Sequence, residues 1–223
     1  MPDAVLLDFY GTVVHEDDVA VDQICATISR SATVQAAPRE IGRYWWTVFS
    51  DAFGRSHGDN FRPQRQLELE ALAQTINNFG AKGDADELSK PLFDYWERPP
   101  VFSDAVQFLD RVGLPVVIVS NIDRSDIETA IDLHHLSFDH VITSEDVRSY
   151  KPRPELFLAA LDAVGCRPDR VLHIGDSLTS DVVGARRLGI PVAWVNRAGK
   201  PPPATDGPTY EVTNLSDLIP NTN

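Results

Sequence analysis

The sequence predicts an α/β domain on a parallel, doubly wound sheet, interrupted near its N-terminus by an all-helical insertion. Three observations carry this. A short apolar run, residues 4–7, is too short for a helix and stops at Asp8, as a buried strand does. Residues 17–83 then change to helical spacing. Beyond Pro99-Pro100, strand-like and helix-like segments alternate, the pattern that builds a parallel sheet.

Each element follows from its residues. Gly11 and Thr12 end the first strand. Ile41, Trp45, Val48, Phe49 and Phe53 recur near one helical face, as do Leu69, Leu72, Ala73 and Ile76. Residues 84–95 predict a further helix, interrupted or started late by Pro91, whose ring and missing N–H oppose a helix interior. Residues 104–112 predict a helix, and residues 114–119, apolar and β-branched, a strand ending at Ser120. A helix over 125–133 and a short strand over 140–143 follow. Residues 154–164 predict a helix with proline in its first turn, where an N–H is not needed. Residues 171–174 form a strand that runs into Gly175-Asp176. A helix over 180–188 stops at Gly189, and residues 192–195 form a last strand. The proline-rich stretch 200–208 is expected to be a surface loop. The insertion is assigned to residues 14–99, and the α/β core to 1–13 and 100–223.

Bulk properties narrow the function. The chain has 223 residues and a net charge of −13, which argues against nucleic acid and against an anionic membrane surface. No apolar run approaches a membrane span, and residues 1–7 lack the basic start of a signal peptide, so a cytoplasmic protein is expected. Cys25 and Cys166 lie far apart in no metal-ligand spacing and are expected to be plain thiols. The partner expected is a small molecule; the oligomeric state is left open.

In open parallel sheets, ligands bind beyond the carboxyl ends of the strands. Asp8, Ser120 and Asp176 each end a predicted strand, and Lys151 lies in the loop after another. Any one of them alone reads as a turn or surface residue. Their convergence on one sheet edge points to a catalytic site.

The same residues carry a resemblance. Asp8-Phe9-Tyr10-Gly11-Thr12-Val13 resembles the first motif of the haloacid dehalogenase superfamily, Asp-x-Asp-Gly-Thr. Val117-Ile118-Val119-Ser120-Asn121 resembles the second, and Lys151-Pro152-Arg153-Pro154 with Phe157 the third. Gly175-Asp176-Ser177 with Asp181-Val182 and Gly184-Ala185 resembles the fourth. Four motifs in order make a specific signal. The resemblance implies a Rossmann-like core with a helical cap, and Asp8 as a covalent nucleophile. It implies Ser120, Lys151 and the residue at position 10, Tyr10, as catalytic partners and Thr12 and Asn121 as substrate-binding candidates; Arg43 in the insertion matches no family motif and is a substrate-binding candidate as a cation that could hold an anion. It also implies Mg²⁺ held by Asp8, Asp176, Asp181 and the backbone carbonyl of Tyr10.

Tyr10 departs from the phosphatase pattern, which has a second Asp there to protonate the leaving group and activate water. A phenol of reference pKa about 10 is a poor base near neutrality. Tyrosine at this position resembles the 2-haloacid dehalogenases, which need no metal. The acids of the fourth motif resemble the phosphatases, since three converging carboxylates call for a cation. The reading is therefore a Mg²⁺-dependent phosphatase acting on a small organic phosphate, with slow breakdown of its aspartyl-phosphate. A 2-haloacid dehalogenase ranks second. A phosphonate hydrolase ranks lower, since Lys82 and Lys90 fall late in the insertion, as does a catalytically weak binding module. His134, His135 and His140 lack a second ligand cluster, His173 is expected to be packed in its strand, and His15 is kept as a neighbour of the site.

Overall fold

The computed structural model describes residues 1–203 and 207–219; residues 204–206 of the expected proline-rich loop lie outside them. The chain forms two compact units. One contains Met1–Glu16, Pro100–Asn121 and His134–Asn223, and the other Asp17–Pro99 with Ile122–Leu133.

The first unit is built on a six-stranded sheet. Its strands are β1 (Ala4–Leu7), β2 (Val116–Ser120), β3 (His140–Thr143), β4 (Val171–Gly175), β5 (Val192–Val195) and β6 (Tyr210–Val212). All neighbours are parallel, in the order β3-β2-β1-β4-β5-β6. The central strands are apolar because both faces are covered, and every residue of β1 and β2 is buried. Leu6, Val117, Val119 and Trp194 share one core cluster with Leu156, Phe157 and Ala160 of the helix Glu155–Val164 and with Val182 and Ala185. Each large apolar side chain so buried contributes about 1.5–3 kcal/mol.

The order reverses at β1, which pairs with β2 on one side and β4 on the other: Leu7 lies opposite both Ile118 and Ile174. Such a switch point leaves a crevice beyond the carboxyl ends of the two strands. Asp8 follows β1 and Asp176 follows β4, so the topology puts both carboxylates there. Strand β6 was not predicted. It is three residues long at the sheet edge, with Tyr210 and Glu211 exposed, so it has no apolar run to betray it.

The second unit is helical, with α1 (Asp18–Ser31), α2 (Pro38–Arg55), α3 (Gln64–Asn78), α4 (Ala85–Glu97) and α6 (Arg124–Leu133); α5 (Ser103–Arg111) belongs to the sheet unit. Two indoles tie it together: Trp45 Nε1 donates to Glu68 at 3.0 Å and Trp96 Nε1 to Asp17 at 2.7 Å. Of the aromatic tract, Trp45 is buried and Trp46 is exposed.

Two expectations differ from what is observed. Pro91 does not interrupt α4. It lies on the exposed face while Ser89, Leu92 and Trp96 are buried, so the carbonyl that loses its partner can turn to water. Residues 122–133, expected with the sheet, group with the helices. The reason is local: the Asp123 carboxylate accepts the backbone N–H groups of Gln64 and Arg65 at the start of α3 (2.6 and 3.0 Å). The Arg65 guanidinium in turn bonds buried Asp126 and Glu97 and lies 4.6 Å from the Phe93 ring. No helix among the described residues is long and apolar enough to cross a membrane.

Candidate active site

The sheet unit gathers most of the predicted site residues. Lys151 is at the centre, 2% exposed. Its ammonium donates to Asp8 Oδ1 (2.6 Å), Asp181 Oδ1 (2.7 Å) and the carbonyl oxygen of Val119 (2.8 Å), so all three N–H bonds are used. A buried cation is tolerable only when paired and fully hydrogen-bonded. Burial lowers its pKa, but the two carboxylates outweigh that and raise it above the ordinary lysine value.

The loop after β2 positions this lysine. The Asn121 carboxamide accepts the Lys151 backbone N–H at 2.7 Å and donates to its carbonyl at 3.2 Å. Asn121, a substrate-binding candidate, thus makes both of these bonds to the Lys151 backbone. Thr12 likewise donates to Asp8 Oδ2 at 3.2 Å and holds that carboxylate. Ser120 is buried at the carboxyl end of β2, opposite Thr143.

Asp181 is held from three directions. Oδ1 accepts from Lys151 and lies 2.9 Å from His173 Nε2, while Oδ2 accepts the Ser177 N–H at 3.0 Å. Burial raises its pKa, yet the charges and hydrogen bonds of Lys151 and His173 win and hold it well below the usual carboxylate range. An ionised Asp181 can only accept, so His173 Nε2 carries the proton. Its Nδ1 has no hydrogen-bond partner among the described residues, and its ring meets Phe157 edge-on at 5.0 Å.

A local backbone irregularity allows this arrangement. The predicted helix 180–188 begins instead with a π-helical turn, Leu178–Val182, before α-helical Val183–Arg187. In this wider turn the Asp181 and Val182 N–H groups both donate to the Ser177 carbonyl (3.0 and 3.1 Å). Gly175 is needed as well: a Cβ there would fall 2.5 Å from Asp181 Oδ2. Trp194 of β5 steadies the same loop, its indole N–H donating to the Asp176 carbonyl at 2.8 Å.

Asp8, Asp176 and Asp181 each offer an oxygen, all within 4.8 Å of one another. Among the described residues Lys151 bonds two of these three acids, and His173 lies against one of the same two, Asp181. The surplus negative charge acts on the pKa values of these acids. Burial raises Asp8, with Lys151 pulling it back down and Asp181 pushing it up. Asp176 is raised to about 8, first by burial, then by the charges of Asp8 and Asp181. An all-oxygen donor set short of positive charge fits a hard divalent cation such as Mg²⁺.

Residues 2–189 match the haloacid dehalogenase-like hydrolase family. The chain belongs to that family. Among its relatives is the (S)-2-haloacid dehalogenase H-109 of Pseudomonas putida, 28% identical over 97% of this chain and 96% of that protein. The phosphoserine phosphatase of Thermus thermophilus is 33% identical over 63% of this chain and 58% of its own length. The solved L-2-haloacid dehalogenase of Xanthobacter autotrophicus superposes with a TM-score of 0.75 at 24% identity, covering 98% of this chain and 97% of that one, and so shares the fold.

Other predicted residues lie elsewhere or have other contacts. Tyr10 is half-buried, its ring edge-on to Phe9 at 5.2 Å. Arg43 is exposed on α2 of the helical unit and forms no part of the carboxylate cluster of the sheet unit. His15 stacks on Phe102 at 3.7 Å. Lys82 and Lys90 are exposed, the latter paired with Glu87. Two contributors escaped the sequence reading, and His173, packed in its strand as expected, also reaches Asp181. His173 left a signal, a polar residue inside a buried apolar strand. Arg197, which donates to the Thr12 carbonyl at 3.1 Å, left none. Nor did Glu16, whose carboxylate reaches the turn after β1.

Proposed function

We propose that this hydrolase is a Mg²⁺-dependent phosphatase acting on a small organic phosphate. The carrying observation is the carboxylate cluster with its unbalanced charge: Asp176, raised to about 8, is an acid that a divalent cation would return to the ionised form. Asp8 and Asp176 would hold the ion, with the Tyr10 carbonyl as a further oxygen. Asp181, bonded to Lys151, His173 and the Ser177 N–H, would be the third carboxylate to hold it. The ion supplies charge neutralisation for the phosphoryl group.

The chain's own residues do the rest. Asp8 presents Oδ2, held by Thr12, while Lys151 fixes Oδ1 and draws charge from the pentavalent arrangement. Asn121 keeps Lys151 in place through its backbone. Ser120 is proposed to donate to the transferred group. The helical unit is proposed to act as the cap that selects the substrate, with Arg43 as its anion-binding candidate.

A second reading, 2-haloacid dehalogenase, is favoured by Tyr10 and by the relatives that bear that name. Product analysis separates the two. Phosphate release from a panel of phosphate esters, abolished by chelator, supports the phosphatase. Halide release from a 2-haloacid with full activity in chelator would overturn it.

A further inference from the structure

The phosphatase reading leaves one chemical role without a residue. Water must attack the aspartyl-phosphate, and Tyr10 stands where a carboxylate base would. The turn after β1 brings another carboxylate in. Val13 and Val14 N–H donate to the Phe9 carbonyl (2.8 and 3.0 Å), and Gly11 N–H donates to the Val14 carbonyl at 2.8 Å. The chain thus doubles back on itself, and the His15 N–H bond to the Pro100 carbonyl (2.9 Å) fixes its exit. Glu16, next in sequence, returns over Gly11. Gly11 has φ +85°, and a Cβ on it would fall 2.6 Å from Glu16 Oε1 and 2.8 Å from Asp176 Oδ1. The two carboxylates are therefore neighbours across a single glycine, and only glycine leaves room for both.

We propose that Glu16 is the general acid and base of this enzyme, in place of the carboxylate that Tyr10 displaces; the assignment rests on the phosphatase reading. In the first step an Asp8 oxygen bonds to phosphorus as the ester P–O bond breaks. The Glu16 carboxyl gives its proton to the departing oxygen, which leaves as the alcohol. In the second step Glu16, now a carboxylate, takes a proton from water as the water oxygen bonds to phosphorus. The P–O bond to Asp8 breaks, restoring its carboxylate, and inorganic phosphate departs. Glu16 ends protonated as it began, and the sum is ester plus water to alcohol plus phosphate.

The test uses p-nitrophenyl phosphate, whose leaving group departs as a stable anion and needs no proton. In Glu16→Gln, rapid mixing should show a first-turnover burst of p-nitrophenolate, while steady-state phosphate release falls about 100-fold or more, within the usual contribution of a positioned base. Acid quenching should trap phosphorylated enzyme in Glu16→Gln and little in wild type, and Glu16→Asp should recover part of the rate. Calorimetric Mg²⁺ affinity should match wild type. Steady-state rates within about threefold of wild type, or a loss reversed by raising Mg²⁺, would overturn the assignment of Glu16 alone. A wild-type protein that releases no phosphate from any ester would overturn the phosphatase reading and this assignment with it.

Discussion

Replacing Lys151 by methionine tests the electrostatic core of the site, because methionine keeps the side-chain length and removes the charge. Three bonds of 2.6–2.8 Å disappear at once, from Asp8, Asp181 and the Val119 carbonyl. Two buried carboxylates are then left without their cation. Breaking a buried ion pair from one side costs about 3–5 kcal/mol. For a chain of this size each kcal/mol lowers Tm by about 2–4 °C, so a fall of about 6–20 °C is expected. The sign of the pH dependence follows from the same groups. Lys151 is what holds Asp181 low and pulls Asp8 down. Without it both acids rise, and a raised acid stabilises the fold at low pH and loses that contribution as pH rises through its folded value. The Tm deficit of Lys151→Met should therefore be larger at pH 8 than at pH 5. Scanning calorimetry in chelator at the two pH values measures it. A deficit at pH 8 under about 2 °C, or one larger at pH 5, would refute this account of the buried lysine.

Further outcomes follow from the same geometry. Asp8→Asn should abolish turnover, since both the phosphatase and the dehalogenase readings need its carboxylate; residual activity within about tenfold of wild type would remove Asp8 as nucleophile. Asp176, raised from an ordinary 3.8 to about 8, holds a proton in the metal-free fold that the unfolded chain has already lost. Stability from this group is full below pH 3.8 and is lost as pH rises through about 8. Mg²⁺ should displace that proton, so its effect on Tm should be greater at pH 8 than at pH 6; equal shifts would exclude Asp176 as its ligand. Asn121→Ala should slow turnover about 10–100-fold by releasing the Lys151 backbone, as small misplacements of a catalytic group do. Unchanged steady-state kinetics would show that the carboxamide clamp is dispensable.

The sequence by itself determined the parallel sheet with its inserted helices. It also determined the arrival of Asp8, Ser120 and Asp176 at strand ends and of Lys151 in a loop beyond another strand, because period, apolar runs and punctuating Gly and Pro are local properties written along the chain. Asp8 and the acidic cluster were legible for that reason. What the neighbours of each group are was decided only by the tertiary structure. Thr12 and Asn121 read as substrate contacts, yet their hydrogen bonds go to Asp8 and to the Lys151 backbone, the latter 30 positions away. Pro91 read as a break, and the exposed face it occupies made it harmless. Residues 122–133 read as part of the sheet unit, and the carboxylates of Asp123 and Asp126 bound them to the helices instead. Glu16 carries no motif at all. Its place beside Asp176 comes from a backbone turn that only glycine can make at Gly11, and from a β4 loop delivered by the order of the sheet. Propensity acts within a few residues, whereas hydrogen-bond partners and field strengths depend on groups that only the folded chain brings within a few ångströms.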